Sequence, residues 1–297
     1  MIGIKSMKRQ ANIWGWILSI PLVLSILTFI VYPLTFGIIL SFTNWRFIPT
    51  DLEFIGFENY QWIFREGQMF FKGIWISFRF AVISTLVQTL LGFFLAYILY
   101  NMGRRSQAVY KVLLYLPVIL PAAVVSVMWD FIYKPDIGLI DRLLAIVGIE
   151  NTPLWLIDTK WQMSSIIFTN TWRFVGITLI IYFVAMNAIS REIIESAYID
   201  GANRWCVLWR IMLPLTWSST KINILLSIIG GMKSFDLFYL MFKNDPNMQV
   251  VGLYIFKTAF EYRTFCRAVA MSVLLSIFIG GATFLINVLM KRGDKEV

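Results

Sequence analysis

Six stretches of this 297-residue chain are long and apolar enough to cross a hydrocarbon core of about 30 Å, which takes roughly 20 helical residues. They fall near residues 13–40, 71–100, 109–131, 163–186, 215–241 and 268–290. Backbone in lipid must satisfy its own polar groups, and uninterrupted runs of this length do so as helices. The expected fold class is therefore an all-α integral membrane protein with six transmembrane helices. Composition agrees: 59 % apolar residues against 14 % charged residues exclude an ordinary soluble domain. The first stretch is too long for a signal-peptide core and lacks a small-residue cleavage site, so it reads as a retained anchor, bent around Pro21 and Pro33.

Orientation follows from where Lys and Arg gather. Lys5, Lys8 and Arg9 precede the first span, Arg104, Arg105 and Lys111 crowd the second connection, and Lys291, Arg292 and Lys295 close the chain. The first, third and fifth connections carry acids among their cations, for example Glu53, Glu58, Asp130, Asp141 and Glu261. Both termini are thus expected in the cytoplasm. The net charge of +9 then reads largely as orientation signal, and a nucleic-acid partner is not expected.

These assignments divide the chain into a cytoplasmic N-terminus with the first span (1–45), an extracellular loop (46–70), a core of five spans (71–290) and a cytoplasmic tail (291–297). Within the third connection, Leu139, Leu143, Leu144 and Val147 recur at helical spacing. They predict a short helix on the outer surface, either a cover over the helix ends or a docking element.

Between the fourth and fifth spans lies "ESAYIDGANRWCVLWRIMLP", a partly polar passage on the expected cytoplasmic side. Residues 191–198 read as helix, with Ile193, Ile194, Ala197 and Tyr198 as its apolar side. Gly201 can take a backbone angle closed to other residues. Asp200 is expected to cap a second short helix running through Trp205 and Trp209, and Pro214 suits the first turn of the fifth span. Chemistry alone leaves two readings: a plug for a groove in a partner, or a loop lying against the headgroups.

The spacing within this passage is specific. Glu195, Ser196 and Ala197, then Gly201, then Ile211, Leu213 and Pro214 resemble the EAA signature of membrane-spanning subunits of bacterial binding-protein-dependent ABC importers. Ser196 stands where the family usually has Ala, a small-for-small departure. Other passages are similar to the carbohydrate-importing class, among them "FIGFENYQWIF" before the second span and "KSFDLFYLM" in the fifth. One departs from it: "FKNDPNM" follows the fifth span where that class commonly has Gly-Gly-Pro.

The resemblance implies a type I ABC importer permease fold in the bacterial cell membrane, with 191–210 as the coupling helix. It also implies a second permease chain, two cytoplasmic ATPases that bind ATP and Mg, an extracellular solute-binding protein and a carbohydrate substrate.

Charges inside a membrane cost about 2.5–3.5 kcal/mol each on insertion scales, so each asks for a reason. Lys221 and Arg79 lie near span ends and can snorkel. Lys233 and Asp236, three residues apart, are expected to pair on one helix face continued by Tyr239. Asn170, Trp172 and Arg173 in the fourth span, with Asn223 and Ser227 in the fifth, complete a polar set suited to sugar hydroxyls and ring faces. Helix-to-helix hydrogen bonding within the bundle explains any one of them as well.

Function classes narrow by what is missing. There is no phosphate-binding G-x-x-x-x-G-K-[ST] loop, so energy must come from a partner. The absence of His and of a G-x-S-x-G elbow argues against an intramembrane protease. No filter-like repeat or charged ring suggests a channel. Cys206 and Cys266 fit no metal spacing, lie on opposite sides of the bilayer in this topology, and read as buried thiols. A permease for another solute, such as glycerol phosphate or a peptide, is the remaining alternative.

Overall fold

The computed structural model describes residues 18–45, 52–149 and 151–290. The basic clusters expected at both chain ends, residues 13–17 of the first span, Asp51 and Glu150 lie outside those residues. Among the described residues the architecture is helical, with one isolated antiparallel bridge between Thr43 and Phe54. Four helices are long and apolar enough to cross a membrane, and six spans result when each of two bent pairs counts as one.

The first span, α1 (Leu18–Leu40), contains a π-helical turn at Leu27–Val31, immediately before Pro33. The missing N–H and the ring of a proline disturb the turn that precedes it. None of this span's apolar window is buried within the chain. Helix α2 (Glu58–Glu66) leads to α3 (Gln68–Tyr100), the second span.

The third span is broken. Helix α4 (Arg104–Ile119) meets α5 (Ala122–Ile132) at 100° across Leu120 and Pro121. This corrects the continuous helix expected over 109–131. Pro121 forces the residue before it out of the helical region, and Leu120 accordingly has ψ 133°. After α6 (Leu139–Ile146), the short helix expected in the third connection, α7 (Thr159–Asn187) forms an unbroken fourth span whose N-cap Asp158 accepts from the Lys160 N–H.

Helix α8 (Arg191–Ile199) and α9 (residues 204–215) form a helical hairpin, with a π-helical segment at Val207–Met212 inside α9. The fifth span is also broken: α10 (Trp217–Met232) and α11 (Asp236–Phe242) meet at 44°. Gly230 and Gly231, poor helix formers, shortly precede the break. Helix α12 (251–261) and the sixth span α13 (Phe265–Met290) complete the chain.

The described residues pack as two compact units, one within 1–68 and 255–275, the other within 69–254 and 276–297. In the first, the buried Asn59 amide donates to the carbonyls of Ser41 and Thr43, both at 2.9 Å, pinning the chain just after α1. The Arg267 guanidinium covers the Trp62 ring at 4.3 Å.

The second unit has two buried apolar clusters. One gathers Phe80, Trp129, Tyr133, Ile166 and Phe238 around α3, α5, α7 and α11. The other joins Phe93, Leu99, Leu179, Tyr182 and Met186 to Ile194, Leu208 and Met212, and so fixes the α8–α9 hairpin to the spans. After α11, the "FKNDPNM" segment is an ordered turn: Gln162 donates its side-chain amide to Asp245, whose other oxygen accepts from the Asn247 N–H at 2.8 Å.

Candidate functional site

Two features of the second unit gather the residues singled out in the sequence. The first is the hairpin. Ser190 caps α8 by accepting from the Glu192 N–H. The helix ends as a Schellman motif: Gly201 sits at φ +84°, its N–H donates to the Tyr198 carbonyl at 3.1 Å, and the Ala202 N–H reaches the Ala197 carbonyl at 2.9 Å. Asp200 is the C-cap of α8 and does not cap α9. That role belongs to Asn203, whose side-chain oxygen accepts from the Cys206 N–H at 2.8 Å. The stretch 191–210 is therefore two helices about a tight turn, the pair read from the sequence, with the second cap on Asn203.

Packing decides what the hairpin presents. Ile194 alone among the residues of α8 is fully buried, and Ala197 is half-buried against the same cluster. Ile193 and Tyr198, expected on the inward side, are instead exposed. Glu195, Tyr198 and Ile199 share one face by their spacing, and Ile199 is 85 % exposed. The free face thus combines a carboxylate with two large apolar side chains, and helical periodicity alone does not single out Ile199.

Helix α9 is held more firmly. The Tyr97 hydroxyl donates to the Arg204 carbonyl at 3.0 Å, and Trp209 meets the rings of Phe93 and Phe94. Ile211 and Leu213 are half-buried against the same cluster, while Pro214 lies in the last turn of α9. The fifth span starts at Trp217, two residues after the expected 215, so Pro214 falls in the last turn of α9 and not in the first turn of the span. Cys206 is half-exposed, unlike the buried thiol expected, and both cysteines are free.

The second feature is a cavity of about 500 Å³ among α3, α7, α10 and the break before α11. Asn170, Asn223, Ser227, Lys233 and Asp236, five of the polar residues singled out in the sequence, line it. Trp172 does not: its ring packs on Trp129 at 5.6 Å. Tyr239 stacks on Phe235 at 5.3 Å, with the Lys243 ammonium 5.0 Å from its ring centre, and is also outside the lining.

Lys233 and Asp236 do not pair in this structure, where the helix breaks between them. Asp236 binds Arg173 instead, Oδ2 to Nη1 at 3.0 Å, and its other oxygen accepts from the Leu237 N–H. The second guanidinium nitrogen of Arg173 donates to the Leu120 carbonyl at 3.3 Å. Lys233 is exposed, and its ammonium makes no hydrogen bond or ion pair among the described residues.

Residues that the sequence reading passes over complete the wall. Gln88 of α3 is 4 % exposed and accepts from the Ser227 hydroxyl at 3.4 Å. A lone amide in an apolar run is the same signal that singles out Asn223, and it was there to be read. Phe174 and Phe235 supply ring surface. Asn223 is 2 % exposed, and its amide nitrogen, on the side of Tyr182, makes no hydrogen bond of ordinary length among the described residues. A poorly met donor in so buried a place is costly unless something else receives it. Close backbone contacts hold the walls: a Cβ on Gly231 would lie 2.7 Å from the Ala81 Cα, and one on Gly176 would lie 2.3 Å from the Leu114 carbonyl. Among the described residues no three His, Cys, Asp or Glu side chains gather as a metal site.

Over residues 88–297 the chain matches the family described as "Binding-protein-dependent transport system inner membrane component". The chain belongs to that family. As such an inner membrane component it is a multi-pass protein of a transport system.

Relatives along nearly the whole length agree. The probable ABC transporter permease protein YurN of Bacillus subtilis is 27 % identical over 98 % of this chain and all of that protein. The multiple sugar-binding transport system permease protein MsmF of Streptococcus mutans is 26 % identical over 90 % of this chain and 91 % of that one. Among solved structures, a chain of a bacterial ABC transporter involved in the import of the acidic polysaccharide alginate superimposes with a TM-score of 0.81. It is 20 % identical over 97 % of this chain and 98 % of that chain, which establishes the fold. A second structure of an alginate transporter, in complex with an alginate pentasaccharide-bound periplasmic protein, gives 0.82 at the same identity, over 97 % of this chain and 96 % of that one.

Proposed function

We propose that this inner membrane component carries a carbohydrate, an oligosaccharide by preference, and forms half of a translocation path that works by alternating access. Both termini face the cytoplasm, a second permease chain supplies the other half, and an extracellular solute-binding protein delivers the substrate. Two cytoplasmic ATPases bind ATP and Mg. Their motion reaches the path through the α8–α9 hairpin, with Glu195 and Gly201 at the contact.

One observation carries the substrate reading: the cavity sets the amides of Gln88, Asn170 and Asn223 against the ring faces of Phe174 and Phe235. Sugars offer hydroxyl acceptors to amides and C–H faces to rings. The names of relatives such as MsmF and the alginate transporter support the same substrate class. For the hairpin, the support is its exposed carboxylate and apolar face on a rigidly pinned turn.

A second reading, a permease for glycerol phosphate, draws on Lys233, an ammonium in the cavity wall with no counter-charge among the described residues. Both readings meet one experiment. The assembled transporter is purified and its ATPase rate followed while binding protein loaded with candidate solutes is added. Stimulation by a sugar-loaded protein supports the first reading; stimulation by glycerol phosphate alone replaces it with the second.

A further inference from the structure

Arg173 holds together two breaks that lie far apart in the sequence. It stands on α7, the unbroken fourth span, with its side chain 10 % exposed. Through Nη2 it donates to the carbonyl of Leu120, in the break where α4 gives way to α5. Through Nη1 it binds Asp236, the first residue after the break between α10 and α11. The Phe174 ring lies 4.8 Å from the guanidinium carbon. A single cation thus ties both bent spans to a straight one, at the end of the cavity farther along α10 from the hairpin.

The two partners of this ion pair differ in surroundings. Arg173 is buried and keeps Leu120 and Phe174 whatever Asp236 does. Asp236 has 49 % of its side chain exposed and lines the cavity, so water can take over its oxygens at modest cost. Three residues earlier, across the break, the Lys233 ammonium also lines the cavity. Asp236 therefore has two cationic partners available, one on another helix and one on its own span.

Resting on the alternating-access reading, we propose that Asp236 is a two-position latch. Bound to Arg173 it holds α11 against α7 and shuts the outer end of the cavity. Exchanging Arg173 for Lys233 frees α11 and lets that end open. The exchange preserves one counter-charge for the carboxylate in both states and leaves the buried Arg173 guanidinium on the Leu120 carbonyl and beside the Phe174 ring, so the closed state is the favoured one at rest and the ATP-driven motion supplies the difference. Arg173 acts here as a positioning residue: the cavity lining does not include it.

The test uses the full transporter in right-side-out vesicles. A single thiol is placed by Ser227→Cys in a Cys206→Ser, Cys266→Ala background, and its reaction with a membrane-impermeant maleimide added outside is timed. In the parent, labelling is slow and rises with ATP and loaded binding protein. Asp236→Asn, which releases Arg173, is expected to raise the resting rate roughly tenfold, while Lys233→Gln, which removes the open-state partner, lowers the stimulated rate by a similar factor. Asp236→Glu keeps the pair and tracks the parent, which separates latch loss from misfolding.

Opposite signs for Asp236→Asn and Lys233→Gln are what a purely structural salt bridge does not produce. Shifts in the same direction, or none, in transporter whose parent responds to ATP overturn the latch alone. A parent that never responds overturns the alternating-access reading and the latch with it.

Discussion

The backbone N–H of Ala202 donates to the carbonyl of Ala197 at 2.9 Å, closing the turn of the hairpin over Gly201. That bond requires the residue between to adopt positive φ, and Gly201 does so at +84°. A Cβ there meets nothing within 4 Å, so the penalty for replacing it is conformational and not steric. Gly201→Val is expected to strain the turn by about 1–2 kcal/mol. Gly201→Asn, which tolerates this region better, should cost less. Substrate-stimulated ATPase activity of the assembled transporter checks the order: parent, then Asn, then Val. Equal activity in all three would remove the turn from the coupling route.

Glu195 gives the complementary case. It is exposed on α8, so Glu195→Ala should change the stability of the isolated chain by no more than about 0.5 kcal/mol. The same variant is expected to release the ATPase or break its coupling. Thermal unfolding in detergent and co-purification with the ATPase measure the two effects separately. A variant that melts early and keeps its ATPase would reverse both expectations.

Asn223 separates binding from folding in the opposite sense. Its amide nitrogen is buried with no hydrogen bond of ordinary length among the described residues, so Asn223→Leu removes a poorly met donor and is expected to change stability by no more than about 1 kcal/mol. Uptake of substrate should nonetheless fall. Loss of stability with uptake intact would mark the amide as structural.

Gly230 and Gly231 are neighbours with different tasks. A Cβ on Gly230 meets nothing within 4 Å, whereas one on Gly231 would lie 2.7 Å from the Ala81 Cα and 2.8 Å from its Cβ. Gly231→Ala is expected to destabilise the chain by about 1–3 kcal/mol through overpacking. Gly230→Ala should fold normally. Relative melting temperatures of the two variants decide the point.

What can be read from the sequence depends on which physical signal each element carries. Span existence is legible because lipid demands long apolar runs, and the hairpin is legible because a polar passage between two spans has to be explained. The break at Leu120 is also open to reading: Pro117 and Pro121 sit one helical turn apart, and the second forces its predecessor extended. The break between Met232 and Asp236 has no proline to announce it, only Gly230 and Gly231 before it. Reading an unbroken helix there pairs Asp236 with Lys233 and hides its partnership with Arg173 in this structure, which joins residues from different spans. Asp200 and Asn203 are both good capping residues, and only the Schellman turn decides that Asn203 caps α9.

The most direct test of carbohydrate import coupled through the hairpin is accumulation of a labelled oligosaccharide in proteoliposomes that hold the assembled transporter, ATP inside and binding protein outside. Accumulation should require all three and vanish in Glu195→Ala. Accumulation that survives Glu195→Ala, or an ATP-driven transporter that accumulates no carbohydrate, would contradict it.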